Sequence, residues 1–370
     1  VQRRRNNHSL IFADALFLVY HSGFKKWVRK KVIVLGHSFT YRKPKQEKER
    51  SMHPFRFGVI NEICHPPKRW LEEAQRVEAL GYATFLLRDH LVSDFFGHQY
   101  APIAALSMAA SATERLGIGN LVIDNDFRHP AIFAKEMATL DLFSEGRLEL
   151  GLGAGWLRNE YDQAGLAYDS AGVRIERLAE AIQVIKGLWS GQAFSFEGKH
   201  YQINGLESFP RPFQSAERSQ PRLLLGGGRK RMLQLAGREA DIISLLTTSV
   251  GSGVLVSEPQ ERSAEALDEK LGWIKAGAGE RYRQIELNIM PSLLISDQRR
   301  AASDGFLAQQ GWSGISYETL WEMPSVLIGS LDQICDLLIE RRERFGISYY
   351  VIRDSQFEAF APVVARLAGK

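Results

Sequence analysis

From Phe55 to the end of the chain, short runs of β-branched and apolar residues alternate with longer segments of helical periodicity, eight times over. The runs are Phe55–Ile60, Thr84–Leu87, Leu116–Ile123, Leu148–Leu152, Arg222–Leu225, Asp241–Leu245, Ile285–Ile295 and Ser348–Ile352. Near-continuous apolar character is expected of parallel strands buried on both faces. Helices are expected between them at Pro67–Leu80, Ala101–Thr113, Pro130–Phe143 and Val173–Trp189, then from Lys230, near Pro259–Ala276 and at Leu331–Phe345, with a closing helix at Phe357–Leu367. A doubly wound open sheet alternates in the same way but seldom needs eight units and a closing helix. The reading is therefore an α/β fold, a single (β/α)8 TIM barrel. Two segments interrupt it. Gly191–Gly205 reads as a hairpin insertion after the fourth helix, with Ala193–Phe196 and His200–Ile203 flanking a Glu197-Gly198 turn. Ser296–Pro324 is an irregular insertion before the last helix–strand unit.

Charge divides the chain into two parts. Residues 1–50 carry 13 Lys and Arg against Asp14, Glu47 and Glu49, whereas the remainder is net −6. Residues 1–51 are read as a poorly ordered basic extension or an upstream translation artefact, with the barrel domain running over 52–370 from near Met52. A membrane-surface helix and an anionic tether are the alternatives for this segment. Its apolar run, Leu10–Tyr20, is too short for a bilayer span, which takes about 20 residues. The mildly acidic body offers no footprint for a nucleic-acid backbone. Cys64 and Cys335 are far apart and lack metal-site spacing, which suits a reducing cytoplasm.

Polar residues and glycines gather where the expected strands end, the end at which barrel active sites lie. They are Arg88-Asp89-His90, the stretch Asp124–Pro130, Gly151–Trp156 with Asn159-Glu160, Gly226–Arg229 and Arg353-Asp354. Gly151–Trp156 lacks the third glycine of a dinucleotide fingerprint, so Rossmann binding is poorly supported. A tight turn and a close backbone approach to a cofactor both remain open for Gly153 and Gly155. Gly226, Gly227 and Gly228 precede a helix whose first N–H groups favour an anion, and Arg229 adds further donors. A simple strand-to-helix turn explains them equally well. His90 is a candidate proton carrier beside Asp89. His129, before Pro130, is read first as a residue leading into the third helix. Thr247–Gly253 and Ser296–Pro324 are candidate mobile substrate loops.

Together these motifs resemble the bacterial luciferase-like family of flavin-dependent barrels. The likeness rests on Phe127–Pro130, Ala138–Asp141, Ser144–Arg147 running into Gly151–Trp156, Leu225–Gly228 with Ala236–Asp241, and Gly329-Ser330, and it covers about Phe55 to Leu367. It is nearest to the branch that uses the deazaflavin coenzyme F-420. The resemblance implies that His90, with Asp89, lies near the reactive ring. It implies that Asn159 contacts the cofactor, that Gly226–Gly228 help to hold its phosphate, and that a backbone bulge at Val122–Asn125, including Asp124, lies against the ring. In the sugar-phosphate dehydrogenases of this branch a glutamate acid follows the strand 4 glycines, but Trp156 stands there in this chain. That departure speaks for a more apolar pocket, with Glu160, Asp89 or Asp126 as alternative acids.

The expected activity is hydride transfer between a reduced deazaflavin and a small organic substrate, in a cytoplasmic protein that the resemblance makes a homodimer. FMN is the alternative cofactor, which would make the chain a luciferase-like monooxygenase. A non-catalytic flavin-binding or sensor barrel is the alternative of another class. No metal is expected.

Overall fold

The computed structural model describes residues 53–370 apart from 95 and 252, and before them only two short paired strands, Ile33–Val34 and His37–Ser38. The expectation that residues 1–51 are poorly ordered lies outside the described residues. The chain divides into two units, Val1–Glu49 and Arg50–Lys370. The second unit is a closed barrel. Its strands are β1 (Arg56–Asn61), β2 (Thr84–Leu87), β3 (Gly117–Asn120, resuming at Ile123–Asp124), β4 (Leu148–Gly153), β5 (Arg222–Gly227), β6 (Ile242–Leu245), β7 (Glu286–Ile289) and β8 (Ile347–Arg353). Each pairs in parallel with the next, and β8 pairs with β1 to close the ring. The eight-stranded reading is borne out.

Helices α1 (Pro67–Ala79), α2 (Pro102–Ala112) and α3 (Pro130–Phe143) follow the first three strands, each with proline in its first turn, where no hydrogen bond is lost. Two helices follow β4: a short α4 (Arg158–Ala164), absent from the sequence reading, and α5 (Ala171–Leu188). Then come α6 (Lys230–Glu239) and α7 (Ala264–Ala278). The hairpin insertion pairs Phe194–Glu197 with Gln202–Leu206.

The run read as one strand at Ile285–Ile295 is two. Only β7 belongs to the barrel, and Ser292–Ile295 forms a separate parallel pair with Val326–Gly329. Between them lie α8 (Arg299–Gln310) and α9 (Tyr317–Glu322), so Ser296–Pro324 is a folded insert and not a loop. Its helices bury Phe306, Leu320 and Met323 with Val326 and Ile328 in a core of their own. The barrel ends with α10 (Leu331–Phe345), which opens on a Ser330/Gln333 capping box, and α11 (Phe357–Leu367).

Alternation along the strands sends every second side chain into the barrel. At the starts of the strands Arg56 pairs with Glu149 and with Glu286 (2.7 Å), and Arg222 pairs with Glu286 at 2.9 Å. Tyr349 donates to Glu149 (3.2 Å) and shares a hydrogen bond with Thr84. The two arginines hold the Glu149 carboxyl below its usual range against the opposing effect of burial, which is the largest influence on it. Above this charged layer Ile60, Leu86, Leu224, Ile242, Tyr349 and Val351 fill the middle of the barrel. The strand ends above them form the mouth.

Candidate active site

β3 breaks at the mouth. Gly119 pairs with Glu149, yet Ile123 pairs with Leu152, so four residue steps on β3 oppose three on β4. The extra residue is a β-bulge at Leu121-Val122, whose peptide bond is cis. Both side chains pack on the barrel's interior cluster. Glycines surround Val122: a Cβ on Gly153 would sit 2.6 Å from its Cγ2, and one on Gly226 would sit 3.4 Å from its Cγ1. A Cβ on Gly151 would overlap the Asn120 carbonyl oxygen. Strands β3, β4 and β5 thus end in a shallow floor built from Val122 and bare backbone, a surface on which a flat ring can lie. The bulge anticipated near Val122–Asn125 is present and starts at Leu121.

His90 stands at the end of β2. Its Nδ1 lies 3.0 Å from Glu160 Oε1, and this oxygen also accepts from the backbone N–H of Leu91 at 2.6 Å and of Val92 at 3.3 Å. Glu160 is only 2% exposed, so these bonds satisfy a carboxylate that water does not reach. The imidazole stacks on Phe96 (4.9 Å between centroids) and meets Trp156 edge-on at 6.0 Å. Glu160 sits in α4, whose left-handed C-cap at Gly165 ends the short helix.

Asp89 is not the partner of His90. The two side chains have different partners: Asp89 turns to Arg128, whose Nη1 and Nη2 donate at 2.6 and 3.1 Å. Asp124 likewise faces away from the floor. It is 8% exposed, accepts from Tyr161 Oη at 2.9 Å and from Asp126 N at 2.9 Å, and burial pushes its carboxyl up to about 7. Gly155, at φ 71°, leaves room for that pair: a side chain there would strike Tyr161 Oη and the Asp124 carboxylate. Asp126 is held by Arg177 at 2.8 Å.

Asn125 is buried and donates to Tyr201 of the hairpin insertion at 3.4 Å, which brings the hairpin against the end of β3. His129 caps α3 by accepting from Ala131 N (3.3 Å), as its place in sequence suggested. Asn159 donates to Asp94 in an exposed contact. Arg229 precedes α6 but extends outward to Glu261 at 3.1 Å, away from the glycines. At Gly228 a Cβ would lie 2.9 Å from the Leu246 carbonyl oxygen, so β5 passes closely over the start of the next loop. That loop is no unstructured flap: Ser249–Gly251 and Val254–Val256 form a hairpin. At its tip a Cβ on Gly253 would sit 3.4 Å from the Trp156 carbonyl oxygen, so the hairpin spans from β6 to the loop after β4.

A cavity of about 550 Å³ lies at the other end of the barrel, lined by Lys186, Trp189, Arg222 and Asp241. None of the mouth groups borders it, and active sites of this fold lie at the strand ends. Among the described residues no cluster of His, Cys, Asp and Glu could hold a metal ion, and no helix is long and apolar enough to cross a membrane.

A closed (β/α)8 barrel with its polar groups gathered at the strand ends is the architecture of the TIM-barrel enzymes. The chain belongs to the luciferase-like monooxygenase family, whose sequence profile matches residues 50–324. It is 33% identical over 228 residues to the F420-dependent glucose-6-phosphate dehydrogenase of Microbacterium testaceum, covering 60% of this chain and 64% of the relative. It is 29% identical over 144 residues to the FMNH(2)-dependent dimethylsulfone monooxygenase of Pseudomonas putida, covering 39% of each. The chain spans between 52% and 64% of the length of the first F420-dependent relatives that it matches. Among solved structures, the coenzyme F420-dependent tetrahydromethanopterin reductase from Methanopyrus kandleri superposes with a TM-score of 0.66 at 19% identity, covering 85% of this chain and 99% of that one. A long-chain alkane monooxygenase superposes at 0.65 with 14% identity, covering 85% and 92%. At those identities the likeness is one of fold.

Proposed function

We propose that this chain is an F420-dependent oxidoreductase that transfers a hydride between the deazaflavin and a small organic substrate, with His90 as its proton carrier. The observation that carries this reading is the buried His90–Glu160 pair beside the glycine floor. With Glu160 accepting from Nδ1, the imidazole keeps its hydrogen there and turns Nε2 away from the carboxylate, toward substrate. The residues fit a flavin-type ring: Val122 and the backbone of Gly153 and Gly226 offer a flat contact, and the start of α6 after Gly227-Gly228 offers N–H groups to a phosphate. A bound deazaflavin supplies the hydride.

His90 Nε2 gives a proton to the substrate oxygen that gains charge as the hydride arrives, or takes that proton when the reaction runs the other way. Trp156 and Phe96 flank the imidazole and exclude water from that transfer. Asp89 acts at one remove, fixing Arg128 and accepting from Asp124 N at 3.2 Å behind the bulge. A cytoplasmic homodimer is part of the reading. It is supported by two free cysteines and by exposed Met108, Ile132 and Phe143 on α2 and α3.

The second reading is an FMN-dependent monooxygenase, favoured by the likeness to the Pseudomonas putida enzyme. Titrating the full chain with F420 and with FMN, following ring fluorescence, separates the two. Selective F420 binding that survives His90→Ala while turnover is lost supports the proposal. Selective FMN binding moves the chain to the second reading, and binding of neither overturns both.

A further inference from the structure

The barrel mouth is unevenly charged. Its β3–β5 side presents backbone and Val122, whereas its β8–β1–β2 side presents arginines. Arg88 donates to Glu62 Oε1 through Nε (2.9 Å) and Nη2 (2.5 Å), and Arg353 lies 3.4 Å from Glu62 Oε2. One carboxylate is therefore shared by two guanidinium groups. Asp354 is close by but already engaged: Oδ2 accepts from Glu62 N and Ile63 N (2.7 and 2.8 Å), and Oδ1 from Ser355 N.

A third arginine lies beside this side, held at Ser292 just past β7. Arg262 follows the hairpin after β6 and is 9% exposed. No carboxylate among the described residues pairs with it. Its guanidinium donates to Ser257 Oγ (3.3 and 3.2 Å) and to Ser292 Oγ (3.1 Å), and it lies 5.6 Å from the centre of the Trp312 ring. Gln356 Nε2, three residues past Arg353, donates to the Leu293 carbonyl at 2.8 Å, so the end of β8 reaches the segment whose Ser292 holds Arg262. Burial and the charge of Arg353 both lower the pKa of Arg262. Two hydroxyls and an aromatic face orient a guanidinium but do not neutralise it. Arg353 already has Glu62 for a partner, but Arg262 is held out of water with no carboxylate, which is costly unless an anion joins it.

We propose that Arg262 and Arg353 form an anion subsite that takes the carboxylate, sulfonate or phosphate group of a small organic anion, so that the substrate enters the mouth charged end toward β7 and β8. Arg262 is the fixed member, oriented by Ser257 and Ser292. Arg353, half exposed, is the adjustable one. The floor at Val122 lies toward β4 and β5, which leaves this side to the substrate. The proposal rests on the reading of the mouth as an oxidoreductase site, but its test does not depend on turnover.

Binding of inorganic phosphate to the full chain is measured calorimetrically at constant ionic strength, with and without the flavin that binds. Wild type is compared with Arg262→Gln, Arg353→Gln and, as a surface control, Arg76→Gln, whose exposed pairing with Glu358 is remote in function. Loss of one charged donor weakens an anion contact by about tenfold or more. The expected result is a Kd raised by that factor in Arg262→Gln, raised several-fold in Arg353→Gln and unchanged in Arg76→Gln, with flavin affinity equal throughout. Arg353→Gln alters a half-exposed side chain, so it tests the subsite even if Arg262→Gln does not fold. No phosphate binding, or equal binding in wild type and both mouth variants, overturns the subsite. Phosphate binding that depends on Arg262 in a protein that binds no flavin retains the subsite and removes the flavin reading.

Discussion

Replacing Asp124 by Asn changes how stability depends on pH, in a direction that the structure fixes. Asp124 is buried behind the bulge, and that burial pushes its carboxyl from the usual 3.8 up to about 7, with the charges of Asp126 and Asp89 adding to the rise. In the unfolded chain the same group ionises near its ordinary value. Between those two values the native protein holds a proton that the unfolded chain has released, so stability falls as pH rises through the window. Each unit is worth about 1.4 kcal/mol, which gives about 3 kcal/mol between roughly pH 4.5 and 8. Asparagine fits the same place. Its carbonyl can accept from Asp126 N, its amide can donate to Tyr161 Oη, and that hydroxyl can donate to Asp126 Oδ2, 3.2 Å away. Urea unfolding of the wild type and Asp124→Asn across the range is the assay. Glu73, also raised to about 7 by burial, slopes both curves alike, so the difference between them isolates Asp124. The variant should gain on the wild type by about 3 kcal/mol from the acid to the alkaline end. Parallel curves would refute the reasoning.

Glu160→Gln should reverse the His90 tautomer, because an amide N–H facing Nδ1 turns that nitrogen into the acceptor. Nitrogen-15 NMR of the histidine ring reads this directly, together with a stability loss of about 1.5–3 kcal/mol for the charged hydrogen bonds; an unchanged tautomer counts against the pair. Gly151→Ala forces a Cβ into the Asn120 carbonyl and should destabilise the chain by about 3 kcal/mol or more in chemical unfolding, and a neutral result would mean that the bulge is not close-packed. Glu149→Gln leaves Arg56 and Arg222 with Glu286 alone and should cost about 3 kcal/mol, most clearly at low salt concentration and near neutral pH, as a shift in the denaturation midpoint.

The barrel was legible in the sequence because its strands are buried on both faces, and such burial leaves runs that no surface strand would carry. The same property hid the end of β7. Leu287 and Ile289 run on through Met290 to the apolar Leu293–Ile295, and only the hydrogen-bonding partner separates a barrel strand from the insert's own pair. Helices α8 and α9 went unread because their apolar positions serve a small private core around Phe306 and Leu320, sparse beside the barrel's. At the mouth, the motifs marked the right loops but not the right partners. Asp89 and His90 are neighbours in sequence, yet one is held by Arg128 and the other by Glu160. Glu160 was visible as part of an Asn-Glu pair, but its meeting with His90, 70 residues away, depends on α4 folding back between two glycines. Arg262 carried no sequence signal, since an arginine near a helix start is ordinary and only its burial sets it apart.

The charged layer at the base joins residues that leave the ribosome far apart in time. Arg56 waits for Glu149, and Arg56 and Arg222 both bond to Glu286, 230 positions after the first. Until that glutamate emerges, Glu149 alone faces both guanidinium groups, and the two cannot be shut inside without one uncompensated charge. A nascent chain stopped before residue 286 is therefore poorly suited to seal its base and remains open to solvent and to chaperones. The base of the barrel is then completed only once β7 has been made.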